Sequence, residues 1–343
     1  MIIKKVLLVG AFNNKNYCYA NSFYNKFIEL NYVTEKFNYR NNYLIFKYFK
    51  FINNKIINFL LIKKIDKFKP DLVFLLKAEN INLNTIKKIK EKKILIVNFY
   101  PDNIFALWNG NSNINVLKSL RYFDYFLSWG KFLKSSLISA GAKNVYYFPF
   151  AYDKDIYETN INISEQDIKK YKCDVCFAGT WDKEREIWLE SLCKSMPDLN
   201  LAIWGNLWLE NLSKSSILIN KINGPAVYKD ELIKLFKSSK IILNFIRKQN
   251  LSSHNMRTLE VPATKSFLLT ERTQEQASFL FKEGEDIECF DNIQELVFKI
   301  NYYLSNKSAR EKIIDASHKK VQDFELLIVL KKFMKYIQDQ ELL

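Results

Sequence analysis

Twice along the chain, short apolar runs rich in β-branched residues alternate with stretches whose apolar residues recur at helical spacing. A run that is apolar on both faces predicts a strand inside a parallel sheet, and parallel neighbours need helical crossovers. The first series reads Lys5–Gly10 (KVLLVG), Pro70–Leu76 (PDLVFLL), Lys93–Phe99 (KILIVNF), Tyr122–Ser128 (YFDYFLS) and Val145–Phe148 (VYYF), with a helix over Asn21–Leu30. The pattern lapses over the polar, turn-rich stretch Pro149–Asn162. It then restarts with strands at Cys173–Ala178, Leu199–Trp204, Ile241–Phe245 and Ser266–Thr270. Helices are expected at Glu184–Ser195, Lys229–Ser239, Asn255–Ala263, Ile293–Leu304, Ser308–Val321 and Phe324–Ile337. The 343 residues are more than one core needs and comfortable for two. The pattern therefore predicts an α/β chain of two Rossmann-like domains, 1–157 and 158–323, with 324–343 a helix packing back toward the first domain.

Several chemistries are excluded at this level. No apolar run approaches the roughly 20 residues of a membrane-spanning helix, and Met1–Gly10 reads as a first strand rather than a signal peptide. Five scattered cysteines argue against a disulfide framework and suit a reducing cytoplasm. Cys173 and Cys176 form a lone C-x-x-C without the further ligands that a structural zinc needs. The chain has no phosphate-loop motif, no dinucleotide fingerprint after Gly10 and no nucleophile elbow for its two histidines to serve.

Charge is divided unevenly. Residues 1–157 carry 25 Lys and Arg against 10 Asp and Glu, whereas the remainder carries 27 of each. A coding bias toward Lys, Asn and Ile would raise the total without sparing one half, so the excess suggests a surface that meets something anionic. The basic aromatic stretch Tyr43–Lys69 reads either as a core helix with a solvated lysine face or as a membrane-surface helix. No RNA-binding signature supports nucleic acid as the partner.

Open parallel sheets bind ligands at the carboxyl ends of their strands, and three such ends in the second half carry suitable residues. Gly179-Thr180-Trp181 precedes a helix bearing Arg185, where close backbone approach and a helix N-terminus would favour phosphate. Gly205 ends the next strand, with Trp204 and Trp208 beside it for base stacking or packing, and Asn244, Arg247 and Lys248 end the third. The segment His254–Glu271 then places Asn255, Arg257 and Glu260 on the first turns of a helix, with His254 just ahead. A guanidinium offers a rigid fork of donors to phosphate, and a carboxylate can accept from both hydroxyls of a ribose. In the first half, Asp102 follows Pro101 at a strand end and is the candidate general base, while Lys77 ends another strand as an acceptor-side candidate.

The pattern N-x-R-x-x-E…FLLTE, followed by Leu280–Gly284 and Asp291–Leu296, resembles the C-terminal domain of CgeB-like (spore-maturation-type) glycosyltransferases. That group is related to the family-1 and family-4 GT-B enzymes. Cys173–Gly179, Gly224–Lys229 and Ile241–Asn244 resemble its earlier elements, and Lys69-Pro70-Asp71, Pro101-Asp102, Tyr122–Tyr125 and Gly141–Pro149 fall in its order. The likeness is strong after Lys172 and looser before it. It implies a GT-B fold, two Rossmann-like domains with parallel sheets facing a central crevice, a nucleotide-sugar donor and no catalytic metal. It makes Glu260 similar to the ribose-binding glutamate, and Asn255 and Arg257 similar to donor contacts. The chain departs from the pattern at Ser252, where family-4 enzymes carry another Glu, and at Ala263-Thr264-Lys265-Ser266, where relatives have a glycine-containing turn.

The expectation is a cytoplasmic glycosyltransferase, with peripheral contact at the inner membrane face, whose donor docks on Gly179, Arg185, Gly205, Asn244, His254, Asn255, Arg257 and Glu260. Its acceptor, a glycan, lipid-linked or protein hydroxyl with an anionic character, would meet Asp102 and Lys77. A GT-B-like nucleotide-sugar epimerase and a non-catalytic sugar- or nucleic-acid-binding protein are the alternatives.

Overall fold

The computed structural model describes residues 2–13, 18–40, 50–106 and 114–341. The chain divides into two units, Met1–Phe150 with Leu326–Leu343, and Ala151–Glu325. The division falls seven residues ahead of the sequence-derived boundary at Tyr157. The reason is anchorage. Tyr152 donates its backbone N–H to the Phe324 carbonyl at 3.3 Å, and the Tyr157 hydroxyl donates to Glu260 Oε1 at 2.5 Å, so the expected linker belongs to the second unit.

In the first unit six strands, β1 (Lys5–Gly10), β2 (Val33–Asn38), β3 (Leu72–Leu76), β4 (Leu95–Tyr100), β5 (Tyr125–Ser128) and β6 (Val145–Tyr147), form a parallel sheet in the order β2-β1-β3-β4-β5-β6. The central strands β3 and β4 are buried along their whole length, which is why they read as continuous apolar runs. β2 (VTEKFN) is an edge strand with no fully buried residue, and its sequence carries no such run. Two carboxylates fix the amino ends of strands. Asp71 Oδ2 accepts the N–H groups of Lys4 and Lys5, both at 2.8 Å, and Asp124 Oδ2 accepts that of Ile96 at 2.8 Å. Helix Leu326–Glu341 covers this sheet, with the Phe333 ring against Phe74 and Tyr146.

Residues 43–49 of the basic aromatic stretch lie outside the described residues. The remainder is the helix Lys50–Phe68, which buries Ile57, Leu61 and Ile65, four residues apart, in the core of the first unit. That stripe is the core-helix reading. Among the described residues no helix is long and apolar enough to cross a membrane.

The second unit repeats the plan with β7 (Cys173–Ala178), β8 (Leu201–Trp204), β9 (Ile222–Gly224), β10 (Ser239–Asn244), β11 (Leu268–Glu271) and β12 (Glu288–Phe290). All pairings are parallel, in the order β12-β11-β10-β7-β8-β9. Side-chain caps start its crossover helices where the sequence supplies them: Asp182 accepts from the Arg185 N–H ahead of Lys183–Ser195, and Asn292 from that of Glu295 ahead of Ile293–Ser305. In each sheet the direction of winding reverses once, between β1 and β3 and between β7 and β10. These are the points where open α/β sheets hold ligands.

Candidate functional site

In the second unit the reversal point gathers three arginines. Arg257, the first residue of helix Arg257–Ala263, donates Nε to the carbonyl of Ala178, the last residue of β7, at 3.4 Å. Arg185, one turn into helix Lys183–Ser195, folds back and donates Nη1 to the Thr180 carbonyl at 2.7 Å. Arg247 follows β10 and pairs through Nε with Asp182 Oδ2 at 3.0 Å, and Arg185 approaches the same oxygen at 3.3 Å. Burial, reinforced by the positive charges of Arg247 and Arg257, pushes the Arg185 pKa down to about 10. Mutual repulsion among guanidiniums means that an anion among them would relieve it.

Sequence reasoning credited part of the positive potential here to the helix N-terminus after β7. The structure corrects that: the end is already capped by the Asp182 carboxylate, with Glu184 and Glu186 in the first turn. The potential comes from guanidiniums instead.

Glu260 stands one turn beyond Arg257 and is 2% exposed. Its Oε2 accepts from Arg257 Nη1 and its Oε1 from the Tyr157 hydroxyl. Burial alone would lower the Arg257 pKa, but the Glu260 carboxylate outweighs it and the net shift is upward. A ribose diol would therefore have to displace Tyr157 or Arg257 to reach this carboxylate. Tyr157 lies 103 positions upstream, and no local pattern announced it.

Asn244 and Asn255 are brought together, the Asn255 amide donating to Asn244 Oδ1 at 2.8 Å. Asn244 is buried and donates onward to Thr270 Oγ1 at 3.0 Å; Thr270 in turn leads to Gln276 Oε1, which also accepts from Thr258 at 2.6 Å. A buried polar chain thus ties the ends of β10 and β11 to the helix that carries Arg257. Asn255 Oδ1 is buried without a hydrogen-bond partner, an unmet acceptor at the head of this chain.

Burial rules out His254 as a ligand contact and decides for packing, against base stacking, at Trp204 and Trp208. His254 is 0% exposed, its Nδ1 3.2 Å from Ser253 Oγ and 3.3 Å from Glu275 Oε1; it holds the loop before the helix together and presents nothing to a ligand. Trp208 is buried and donates Nε1 to the Gly179 carbonyl at 2.9 Å, and Trp204 is buried beside Tyr171. Both tryptophans pack, and neither offers a face for a base. Gly205 is explained by the same contact. A Cβ there would lie 1.9 Å from the Gly179 carbonyl oxygen, so the glycine lets the ends of β7 and β8 close on each other.

In the first unit, Lys77 and Asp102 follow β3 and β4. They form an ion pair, Nζ to Oδ2, at 2.8 Å, each side chain about three-quarters buried. Lys77 and Ala78 are successive residues in the left-handed region, φ 62° and 55°. Behind them lies a cluster that sequence reasoning missed. Glu79 is buried and accepts from the Tyr39 hydroxyl at 2.7 Å and from Arg40 Nη2 at 2.5 Å. Burial would raise the Glu79 pKa, but those two hydrogen bonds hold it below the ordinary value. Tyr39 and Arg40 follow the edge strand β2, whose polar sequence gave no warning of them.

A model of the glycosyl transferase-like family matches residues 184–325, within the second unit. No curated protein matches the chain. Among solved structures, a sucrose-phosphate synthase from Thermosynechococcus elongatus is similar with a TM-score of 0.73 and 10% identity, over 99% of this chain and 100% of that one. An alpha,alpha-trehalose-phosphate synthase from Burkholderia xenovorans, in complex with glucose-6-phosphate, gives 0.70 and 10% over 98% and 100%. Anabaena HepE, in complex with UDP-glucose, gives 0.68 and 12% over 98% and 99%. Likeness at such identities is likeness of fold, and the fold is GT-B: two Rossmann-like α/β domains.

Proposed function

We infer that the chain is a glycosyltransferase that moves a sugar from a nucleotide-sugar donor to an acceptor hydroxyl. The observation that carries this reading is the convergence of Arg185, Arg247 and Arg257 on the carboxyl ends of β7 and β10, inside the stretch matched by the glycosyl transferase-like family. Departure of a nucleoside diphosphate develops negative charge, and preorganised cationic donors in a partly desolvated site stabilise it. Arg185 and Arg257 serve as the diphosphate donors. Glu260 sets the Arg257 guanidinium and takes the ribose when the Tyr157 hydroxyl gives way. Asn255, seated on Asn244, offers its unmet carbonyl oxygen to a donor hydroxyl. No metal takes part in this scheme, because the guanidiniums supply the countercharge.

The first unit is the acceptor side, with Asp102 as the base that removes the acceptor proton and Lys77 as the cation that orients it. The acceptor is a glycan, lipid-linked or protein hydroxyl. The basic excess of residues 1–157 supports an anionic acceptor, and peripheral contact with the cytoplasmic membrane face. The N-x-R-x-x-E…FLLTE pattern supports placing the chain among CgeB-like enzymes.

The decisive experiment titrates the full chain with UDP-, GDP-, CMP- and dTDP-sugars in a thermal-shift assay, since a ligand bound to the native state alone raises its stability. One nucleotide-sugar class is expected to raise the melting temperature, and the Arg257→Ala variant to lose that rise. A chain that responds to none of the four is not a nucleotide-sugar enzyme.

A further inference from the structure

The first unit holds a cavity of about 490 Å³ at the carboxyl ends of β1, β3 and β4, within the range of about 300–1,000 Å³ usual for small-molecule sites. It sits at the reversal point of that sheet, between β1 and β3. Its wall includes Phe12, Tyr19, Asn38, Arg40, Lys77 and Phe99. The charged residues in that wall are Arg40 and Lys77, both cations, and among the described residues no carboxylate lines it.

The two cations are not equivalent. Lys77 is turned onto Asp102 and shielded with it. Arg40 is held through Nη2 by Glu79 Oε1 and lies over the Tyr39 ring, and its side chain is 53% exposed. Glu79 is itself fixed by the Tyr39 hydroxyl on its other oxygen. The turn that carries Arg40 is pinned as well: its N–H donates to Asn38 Oδ1 at 3.0 Å, and the Asn38 amide donates to the Phe12 carbonyl at 3.0 Å. A guanidinium anchored at one edge by a buried carboxylate offers its remaining donors in a fixed plane, the arrangement suited to bidentate recognition of a phosphate or carboxylate. Helix Tyr19–Glu29 begins at the same cavity, with neither a side-chain cap nor an acidic residue in its first turn. Aromatic Phe12 and Tyr19, both partly exposed, complete walls against which the C–H faces of a sugar ring can lie.

We propose that this cavity receives a sugar bearing a phosphate or carboxylate, and that Arg40, held by Glu79, is the residue that selects for the anionic group. The proposal rests on the glycosyl-transfer reading in taking that sugar to be the acceptor. Lys77 then keeps Asp102 in place while Arg40 fixes the far end of the sugar.

Calorimetry on the full chain, with glucose, glucose 6-phosphate and glucuronate as probes and UDP titrated separately, tests it. The wild type is expected to bind at least one anionic sugar ten times or more tighter than glucose, and the preferred probe separates a phosphate from a carboxylate ligand. Arg40→Gln should abolish that preference while leaving UDP affinity unchanged, Arg40→Lys should restore part of it, and Glu79→Gln should weaken it. Equal binding of the three sugars, or none, alongside normal UDP binding overturns the proposal and leaves the donor site standing. Selective binding of an anionic sugar by a chain that binds no nucleotide keeps the cavity as an anion site and removes its role as acceptor pocket. An Arg40→Gln variant that retains the full preference overturns the assignment of Arg40.

Discussion

Lys77 Nζ lies 2.8 Å from Asp102 Oδ2, which joins at one point the two residues of the first unit that the sequence singles out. The contact is held by strained backbone. Lys77 and Ala78 both adopt left-handed φ values, and the Lys77 N–H continues the sheet ladder by donating to the Phe99 carbonyl at 2.8 Å. Each such non-glycine residue costs on the order of 1–3 kcal/mol, whereas a surface ion pair returns about 0–1 kcal/mol and the three-quarters burial of this one adds a desolvation penalty. Stability does not explain the arrangement. Placing an ammonium against a carboxylate at a strand end does.

If Asp102 is the base, Asp102→Asn should lower turnover by roughly 10²–10⁴-fold and leave nucleotide affinity unchanged. Steady-state kinetics alongside calorimetry reads both. A variant with normal specific activity and a lowered melting temperature would make Asp102 a turn residue and nothing more.

Arg257→Ala should weaken nucleotide binding by about ten- to a hundredfold, the worth of one charged hydrogen-bonded contact at roughly 1.5–3 kcal/mol. Tyr157→Phe separates the two functions of Glu260. It removes a hydrogen bond to Oε1, so the fold should lose about 1 kcal/mol, while nucleotide affinity holds or rises because the competing hydroxyl is gone. A Tyr157→Phe variant that loses affinity as strongly as Arg257→Ala would place the tyrosine, rather than the carboxylate, against the ligand.

Gly205→Ala should be among the most damaging single changes in the second unit. The added Cβ meets a backbone carbonyl at 1.9 Å, where no flexible side chain can yield. Overpacking costs about 1–3 kcal/mol and occasionally more, and the upper end is expected, read as a fall of several degrees in the melting temperature. Unaltered melting would show that the ends of β7 and β8 can separate freely.

What was legible in the sequence follows from burial. The strands recognised in advance include the central ones, such as β3, β4 and β7, whose two buried faces force continuous apolar runs, and one short edge strand, β6. The edge strands β2 and β9 were missed because exposure leaves their composition nearly free, and β12, although buried, because three residues are too few to make a run. Arg257 and Glu260 were found together because their spacing puts them on one helix face. Arg40 and Tyr157 were not, since each reaches its partner across the fold, from residues 40 to 79 and 157 to 260. His254 misled, and base stacking stayed open beside packing for Trp204 and Trp208, because position at a strand end or loop says nothing of whether a side chain turns inward.

Glu79 gives the pH prediction. Burial opposes its charge, yet Arg40 and Tyr39 hold its folded pKa below the ordinary 4.5. A depressed carboxylate contributes stability that is present above the unfolded value and disappears as pH falls through the folded one. Stability of the first unit should therefore decline from about pH 4.5 downward, and Glu79→Gln should flatten that decline while lowering stability at neutral pH. Denaturant titrations between pH 3 and 7 (about the carboxylate range) measure it. Identical acid slopes in both proteins would mean that Glu79 is equally paired in the unfolded chain.

The last prediction concerns the countercharge at the donor site. Around the ends of β7 and β10, Arg185, Arg247 and Arg257 pair with the carboxylates of Asp182 and Glu260, with Glu184 and Glu271 in electrostatic reach of Arg185, and these guanidiniums are the donors where the diphosphate is proposed to sit. A divalent ion bridging two phosphates would have to enter beside these guanidiniums, against their repulsion. Turnover should therefore persist in EDTA, and neutralising Arg185 should be what removes it: Arg185→Gln is expected to lose roughly 10²–10³-fold in turnover, the scale of one transition-state donor, and added Mg²⁺ should not restore it. Loss of activity on chelation, recovered by Mg²⁺ in the wild type, would transfer the charge-stabilising role from arginine to metal.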